Sequence, residues 1–341
     1  MQAVLAVDGG NTKTIALVAA LDGRVLGAAR GGVGDIYNAE PEDGADGSAG
    51  AALVNVERTV KAALDAAHIA RADLAVSVFN MAGADWLEDI AFWRDRMSER
   101  GYGQRVIAQN DALGVLYAAS ADATGVSIVC GTGVATGARS ADGRVWHSSF
   151  WQDEAQGAGH MGHKTLFAVY RAALGIEQPT SLTERVVEHY GVESVEAVLH
   201  LFHDRAHPAP ERVDLLTPIL LDEADAGDAV ALAVVGEHGA ALGNIAIAAA
   251  RQVGLEGSLE FPLVLAGGVF RHPTHVLEAA IVARVQGALP GAVPVRNPAE
   301  PIVGVLLEAL AAAGVETEGA LRERVLRTWR DASDSVIGLP L

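Results

Sequence analysis

One pattern occurs twice in this chain, and it restricts the fold more than any other feature. At residues 3–30 an apolar run, Val4-Leu5-Ala6-Val7, reads as a buried strand and ends in Asp8-Gly9-Gly10-Asn11-Thr12-Lys13-Thr14. A second apolar run, Ile15 to Leu21, meets the hairpin signal Asp22-Gly23, and a third run, Arg24 to Ala29, follows. From Gly125 to His147 the order repeats. Val126 to Cys130 reads as a strand, Gly131-Thr132-Gly133 as a turn, and another strand leads to Asp142-Gly143-Arg144-Val145. That last tetrapeptide repeats Asp22-Gly23-Arg24-Val25. Two such units predict two similar lobes with a phosphate chain clamped between their facing turns. Glycine lets backbone N–H groups approach a phosphate, because no Cβ intervenes. A carboxylate at the strand end, here Asp8, suits Mg²⁺, which takes oxygen ligands and keeps several waters.

The remaining chain supplies strands and helices around these units. Gly31 to Asn38 reads as a loop and Pro41 to Gly50 as a flexible acidic stretch, with Ser48 a candidate cap for the next helix. Leu53, Val56, Val60, Ala63 and Leu64 give that helix one apolar face. Leu74 to Phe79 reads as a strand leading to Met81-Ala82-Gly83-Ala84-Asp85, and Trp86, Phe92 and Trp93 read as helical core residues. Arg105 to Gln109 is a strand ending at Asn110-Asp111, before a helix expected over 112–120. Open α/β sheets bind ligands at such strand ends. Asp is also a favoured helix cap, so the residues alone leave both readings of Asp111 open.

Helices are expected at Lys164–Leu174, Ser181–Tyr190, Val195–His203 and Val213–Leu221, followed by an acidic loop at 222–228. Ala229 to Val253 reads as a long buried helix. Phe261 to Ala266 is a strand running into Gly267-Gly268-Val269-Phe270, and Pro273 to Ala288 a helix. Val293-Pro294-Val295, Pro298, Pro301 and Gly304 lead into an apolar helix. A last helix, Glu318 to Ala332, carries the apolar face Leu321, Val325, Leu326 and Trp329. His147, His160 and His163 lie close in sequence, and the last two share a helix face. No third metal ligand stands at a typical spacing, so they read as ordinary polar residues.

The chain has 341 residues, enough for two domains. A net charge of −18 argues against a nucleic-acid partner, since phosphate backbones attract basic surfaces. No uninterrupted apolar run has membrane-spanning length, and the first residues lack a signal-peptide pattern. The single cysteine, Cys130, leaves no disulfide framework or cysteine-rich metal site. A soluble, cytoplasmic protein without a membrane partner is therefore expected.

The paired turns resemble the phosphate motifs of the actin-like superfamily of sugar kinases and heat-shock ATPases. More closely, the chain resembles the N-acetylglucosamine kinase branch grouped with the BadF/BadG-type ATPases. The resemblance runs from Ala6 to about Leu310, through Asp8–Thr14, Ala82-Gly83-Ala84-Asp85, Asn110-Asp111-Ala112, Gly131-Thr132-Gly133, Asp153-Glu154 and Ala266-Gly267-Gly268-Val269. It implies an α/β fold of two actin-like (ribonuclease H-like) lobes, each a mixed five-stranded sheet flanked by helices, with a cleft between them. The expected division is a first lobe at 1–117, a second at 118–315, and a C-terminal helix at 316–341 packing back on the first.

The resemblance further implies a kinase that transfers the γ-phosphoryl group of ATP to the 6-OH of N-acetylglucosamine or a related amino sugar. Asp111 would be the catalytic base. Gly9, Gly10, Asn11, Thr12, Lys13, Gly131, Thr132 and Gly133 would bind the ATP phosphates, and Gly267 and Gly268 would pack on adenosine. Asp8 would hold Mg²⁺ through water. Asn38, Gly83, Asn110, Asp111, Asp153 and Glu154 would contact the sugar. A homodimer fits the family. The chain departs from the family pattern at Gln152 and Ala155, where glycines flank the Asp-Glu pair, and it lacks the preceding Gly-rich turn.

Three rivals remain. A BadF/BadG-type ATPase acting on a partner protein would need more cysteines for an iron–sulfur cluster. A non-catalytic sugar sensor would add a basic DNA-binding module. A nicotinamide oxidoreductase fails because the third glycine of Gly131–Gly137 comes one residue late, before a strand pattern.

Overall fold

The computed structural model describes residues 1–41, 46–120, 122–296 and 300–337, with side chains to residue 333. Residues 42–45 of the acidic stretch, and Pro298, lie outside the described residues.

The first lobe follows from alternation in its strands. It comprises β1 (Ala3–Gly9), β2 (Thr14–Ala20), β3 (Val25–Gly31), α1 (Gly47–Ala67), β4 (Leu74–Met81), α2 (Leu87–Glu99) and β5 (Arg105–Asn110). The sheet order is β3-β2-β1-β4-β5, with β1 antiparallel to β2, β2 antiparallel to β3, and β1, β4 and β5 parallel. Leu5, Val7, Ala16 and Val18 face α1 and α2, meeting Val56, Val60 and Trp93. Their alternates Val4, Ala6, Ile15 and Leu17 face the opposite side, as the period of two requires. α1 starts at Gly47 behind Asp46, so Ser48 stands inside the first turn and does not cap it.

The second lobe repeats the plan. Its elements are β6 (Gly125–Cys130), β7 (Val134–Arg139), β8 (Val145–His147), α3 (Ala158–Ala173), α4 (Leu182–Tyr190), α5 (Val195–Leu201), α6 (Leu216–Asp225), α7 (Ala229–Gln252), β9 (Phe261–Ala266), α8 (Val276–Ala288) and β10 (Ala292–Arg296). The order β10-β9-β6-β7-β8 carries the same parallel and antiparallel pairs. So β6 corresponds to β1, β9 to β4 and β10 to β5. The expected acidic loop at 222–228 is helical as far as Asp225, because Leu220, Leu221 and Ala224 continue a buried stripe. α7 is long and apolar enough by composition to cross a membrane, although Glu237 and Arg251 interrupt it. Half of its apolar window is buried, and it packs against α8, α6 and β7.

Two last helices, α9 (Ile302–Ala312) and α10 (Ala320–Ile337), return to the first sheet. Ile302, Val303, Val305 and Leu306 pack with Val4, Ala6 and Val76, and Val325 and Trp329 join the same cluster. By packing, α9 belongs with the first lobe rather than with the second lobe expected over 118–315. The helix expected at 112–120 is instead a 3₁₀ segment over Gly114–Ala118. It crosses α9 closely: a Cβ on Gly304 would stand 2.4 Å from the Gly114 carbonyl oxygen. Leu113, Val115 and Leu116 fill the space against Val264 and Ala266 of β9. The 3₁₀ segment and α9 thus form the shared floor between the sheets.

Candidate active site

The strand ends of both sheets open on one cleft of about 1030 Å³. The first turn is closed by Gly10 N donating to the Lys13 carbonyl at 2.8 Å, and the second by Gly131 N donating to the Gly133 carbonyl at 2.8 Å. They meet across the cleft, where Thr12 Oγ1 donates to Thr132 Oγ1 at 3.0 Å. Gly10, Asn11, Thr12, Lys13, Gly131, Thr132 and Gly133 all line the cleft, with Asp8 at their base. Gly9 does not line it. Gly9 lies behind the turn, where a Cβ would sit 2.3 Å from Met81 Cε.

Asn110 and Asp111 stand at the end of β5. Asn110 Oδ1 accepts from Ala112 N at 3.0 Å, and its Nδ2 donates to Asp85 Oδ1 at 2.9 Å. The bond that holds this turn therefore belongs to Asn110, and the Asp111 carboxyl is left to face the cleft. Burial first, and then the nearby carboxylates Asp8, Asp85 and Asp35, push the Asp111 carboxyl up to about 8. Burial also raises Asp8 to about 6, opposed by a hydrogen bond from Asn80. Asn38 Nδ2 donates to Asp35 Oδ2 at 2.8 Å and to Asn11 Oδ1 at 3.2 Å, so the loop after β3 is tied to the first turn. Gly83 has φ +74°, and a Cβ there would stand 2.5 Å from Asp35 Oδ1.

The altered segment after β8 turns its two substituted residues inward. Thr136 Oγ1 donates to Gln152 Oε1 at 3.0 Å, Gln152 Nε2 donates to the Ala155 carbonyl at 3.2 Å, and both residues are buried. Asp153 lines the cleft. Glu154 is exposed and does not. A Cβ on Gly157 would stand within 2.5 Å of the carbonyl oxygens of Gly131, Thr132 and Gly133, so this segment supports the second turn through bare backbone. The Gln156 peptide is held from both sides. Its N–H donates to His160 Nδ1 at 3.1 Å, and its carbonyl meets His238 Nε2 at 3.0 Å. His147 Nδ1 lies 2.6 Å from Ser149 Oγ. His163 is exposed.

Gly267 and Gly268 line the far end of the cleft with Val269, Leu215, Pro218 and Leu221. Gly267 has φ +100°, and a Cβ there would meet the Cys130 carbonyl oxygen at 2.4 Å.

Six residues escaped the sequence reading. Asn80 is fully buried at the register position of Asp8. Its Nδ2 donates to Asp8 Oδ1 at 3.2 Å and to the Asp111 carbonyl at 3.0 Å, while its Oδ1 accepts from Gly114 N and Gln109 Nε2. Every hydrogen-bonding capacity of that amide is used. Gln109 Nε2 in turn donates to Glu308 Oε2 at 2.6 Å, and Arg139 of the second lobe donates to Gln109 Oε1 at 3.3 Å. Arg271 and Glu300 complete the set: Glu300 lies 2.7 Å from Arg271 Nη1 and 3.7 Å from Lys13 Nζ. The only sequence signal for Arg271 is its place just after the Gly267-Gly268 turn.

Among the described residues no group of three or more His, Cys, Asp or Glu side chains could hold a metal. Mg²⁺ is commonly held by one or two carboxylates together with substrate phosphates, so Asp8 at the base of the first turn has the right donor chemistry.

A model of the BadF/BadG/BcrA/BcrD ATPase family matches residues 5–309. An N-acetyl-D-glucosamine kinase of Dictyostelium discoideum is 23% identical over 311 residues, covering 90% of this chain and 97% of that protein. A solved structure of a candidate N-acetylglucosamine kinase from Chromobacterium violaceum is 21% identical, with a TM-score of 0.62 over 90% of this chain and 98% of that one. A ROK family glucokinase from Streptomyces griseus, solved with glucose and AMPPNP, gives a TM-score of 0.53 at 17% identity, again over 90% and 98%. These likenesses show the two-lobed fold.

Proposed function

The chain belongs to the BadF/BadG/BcrA/BcrD ATPase family, and we propose that within it this protein is an ATP-dependent sugar kinase acting on the 6-OH of N-acetylglucosamine or a related amino sugar. The observation that carries this reading is the joint placement of two facing phosphate turns and the Asp111 carboxyl in one cleft. The kinase names of relatives that match the chain over nine-tenths of its length support it.

Phosphoryl transfer asks a protein mainly to position groups and neutralise charge. The backbone N–H groups of both turns, with the Thr12 and Thr132 hydroxyls, receive the β- and γ-phosphates. Gly267, Gly268 and the apolar wall of Leu215, Pro218 and Leu221 receive the adenosine. Lys13 and Arg271, one from each lobe, share Glu300 and stand ready for phosphate. Asp8 would hold Mg²⁺, which when bound would supply charge neutralisation to the phosphates. Asp111 accepts the proton of the attacking hydroxyl, and its raised pKa makes it a stronger base than an ordinary carboxylate. Asn38, Asn110 and Asp153 orient the sugar. Glu154, outside the cleft wall, has no part in this arrangement.

The test is ADP release from Mg-ATP with N-acetylglucosamine, glucosamine, N-acetylmuramic acid, N-acetylmannosamine and glucose. Stimulation by one sugar supports the kinase. ADP release independent of sugar would instead indicate an ATPase acting on a partner protein. Binding of sugar or ATP without turnover would indicate a sensor.

A further inference from the structure

Beside the cleft lies a second hollow that the proposed reaction does not use. Among the described residues, four of the five exposed aromatic side chains gather at this end of the molecule: Tyr37, Trp86, Phe150 and Trp151. Phe150, from the second lobe, meets Tyr37 edge-on at 5.5 Å and lies nearly parallel to Trp86 at 6.3 Å, both from the first lobe. Behind them opens a space of about 430 Å³ walled by Trp86, Trp146, Trp151 and Val145, with Asp85, His147, Ser149 and Phe150. Asp85, Ser149 and Phe150 also wall the cleft, so the two spaces are continuous. Asp85 is bonded to Asn110, the neighbour of Asp111, which places the hollow one side chain beyond the proposed acceptor position.

The segment that presents Phe150 and Trp151 is held under strain. Ser149 has φ +43°, a left-handed conformation that a residue with a Cβ rarely adopts. His147 and Asp85 both bond its hydroxyl, and the preceding Ser148 is tied to Thr136. Strain of this kind persists only where surrounding bonds enforce it, and here those bonds turn two aromatic rings outward. Large rings left in water at a cleft mouth mark a surface that receives something.

The chemistry of the wall selects the occupant. Flat aromatic faces suit the C–H face of a pyranose ring, while the carboxylate, hydroxyl and imidazole suit its hydroxyl groups. The wall contains a carboxylate and no Lys or Arg, which disfavours a phosphate or an acidic sugar. We propose that this hollow is a subsite for a second, neutral sugar ring linked to the ring that is phosphorylated, so that the preferred acceptor is a disaccharide. The proposal rests on the sugar-kinase reading and narrows its substrate class.

The experiment compares ADP release by the full chain with N-acetylglucosamine and with its neutral disaccharides joined at O1 or at O4, in the native protein and in Trp86→Ala and Trp151→Ala. Both tryptophans are exposed and wall the hollow but not the cleft. At least one disaccharide should exceed the monosaccharide in kcat/KM by about tenfold, the size of one good aromatic contact. Each variant should raise KM for that disaccharide about tenfold while leaving the monosaccharide unchanged. Equal use of monosaccharide and disaccharides, or variants that affect both alike, would overturn the subsite while the kinase reading stood. No stimulation by any sugar would overturn the kinase reading itself, and the subsite with it.

Discussion

The two facing turns of the cleft sit on matching strands and are built by opposite means. In the first lobe Asp8, one residue before the end of β1, pairs with Asn80 on β4. In the second lobe the matching residue, one before the end of β6, is Val129, which pairs with Ala266 on β9. Aspartate and asparagine in one half thus answer to valine and alanine in the other. The first turn is supported by side chains: Asn80, then Gln109 and Glu308, in a buried hydrogen-bonded chain. The second is supported by close backbone approach at Gly157 and Gly267. The fold has been used twice, but at these matching strand positions a titratable group stands in only one copy. Changes to side chains should therefore damage the first lobe, and an added Cβ should damage the second.

The largest effect is expected at Asp111. Asp111→Asn should lower kcat for sugar-stimulated ADP release by about 10²–10⁴-fold, with KM values nearly unchanged. The native enzyme should also gain kcat/KM as pH rises toward about 8, because the base works only after losing its proton. The variant should lack that gain. Stability should run the other way. A carboxyl raised from 3.8 to about 8 in the folded protein keeps its proton there at pH values where the unfolded chain has lost it. Its contribution is full below 3.8 and is lost as pH rises toward about 8. Asp111→Asn should thus melt higher than the native protein at pH 8 and show little difference at pH 4. A native-like kcat in the variant would remove chemistry from the first lobe and erase the asymmetry.

A smaller loss is expected when only the support is removed. Asn80→Ala deprives Asp8 and the Asp111 turn of a shared donor and leaves Gly114 N and Gln109 without their acceptor. A drop in kcat of about 10–100-fold is expected, the range for residues that orient metal-binding groups, with a weaker response to Mg²⁺. Sugar KM should barely move. If sugar KM rose while kcat held, Asn80 would be supporting the acceptor loop instead.

What the sequence disclosed and what it hid follow the same division. Both turns were legible because each is local: an apolar run, glycines, and an Asp-Gly hairpin within about 25 residues. The duplicated sheets followed from that repeat. Asn80 was invisible because its role depends on strand register with Asp8, 72 positions away. The sheet that α9 packs on was hidden because residues 302–310 are buried all round, and such a helix carries no stripe to say which sheet it meets. The 3₁₀ segment was read as a helix because its tight crossing needs Gly304, nearly two hundred positions later. Between β8 and α3, the family resemblance marked Gln152 and Ala155 as departures from a glycine-flanked pattern, but only packing shows that they turn inward.

The backbone half of the comparison is tested by adding one methyl group. Gly157→Ala would press a Cβ against three carbonyl oxygens of the second turn, none of which can swing away. About 1–3 kcal/mol of overpacking is expected, with a KM for ATP raised about tenfold as the turn shifts. Gly9→Ala makes an equally short contact, but with Met81 Cε, the end of a flexible chain. Its cost should stay below about 1.5 kcal/mol. Thermal melts and ATP titrations of the two variants give the contrast directly. Equal damage at both positions would mean that the first turn also depends on bare backbone.

The smallest effect is expected at the buried end of β6. Cys130 ends β6 as Gly9 ends β1, one residue past the place that matches Asp8; its thiol is fully buried, burial pushes it up to about 12, and its sequence neighbours are the backbone of the turn. A neutral thiol at neutral pH can neither hold Mg²⁺ nor accept a proton. Cys130→Ala should therefore cost only the packing of one sulfur atom, about 1 kcal/mol, and change kcat less than twofold. Melting temperature and initial rates measured side by side decide it. A loss of stability alone leaves the second strand end as a packing position beneath a backbone cradle. A loss of kcat comparable to that of Asn80→Ala would show that the side chain at this strand end positions the phosphates, as Asp8 is proposed to do in the first lobe.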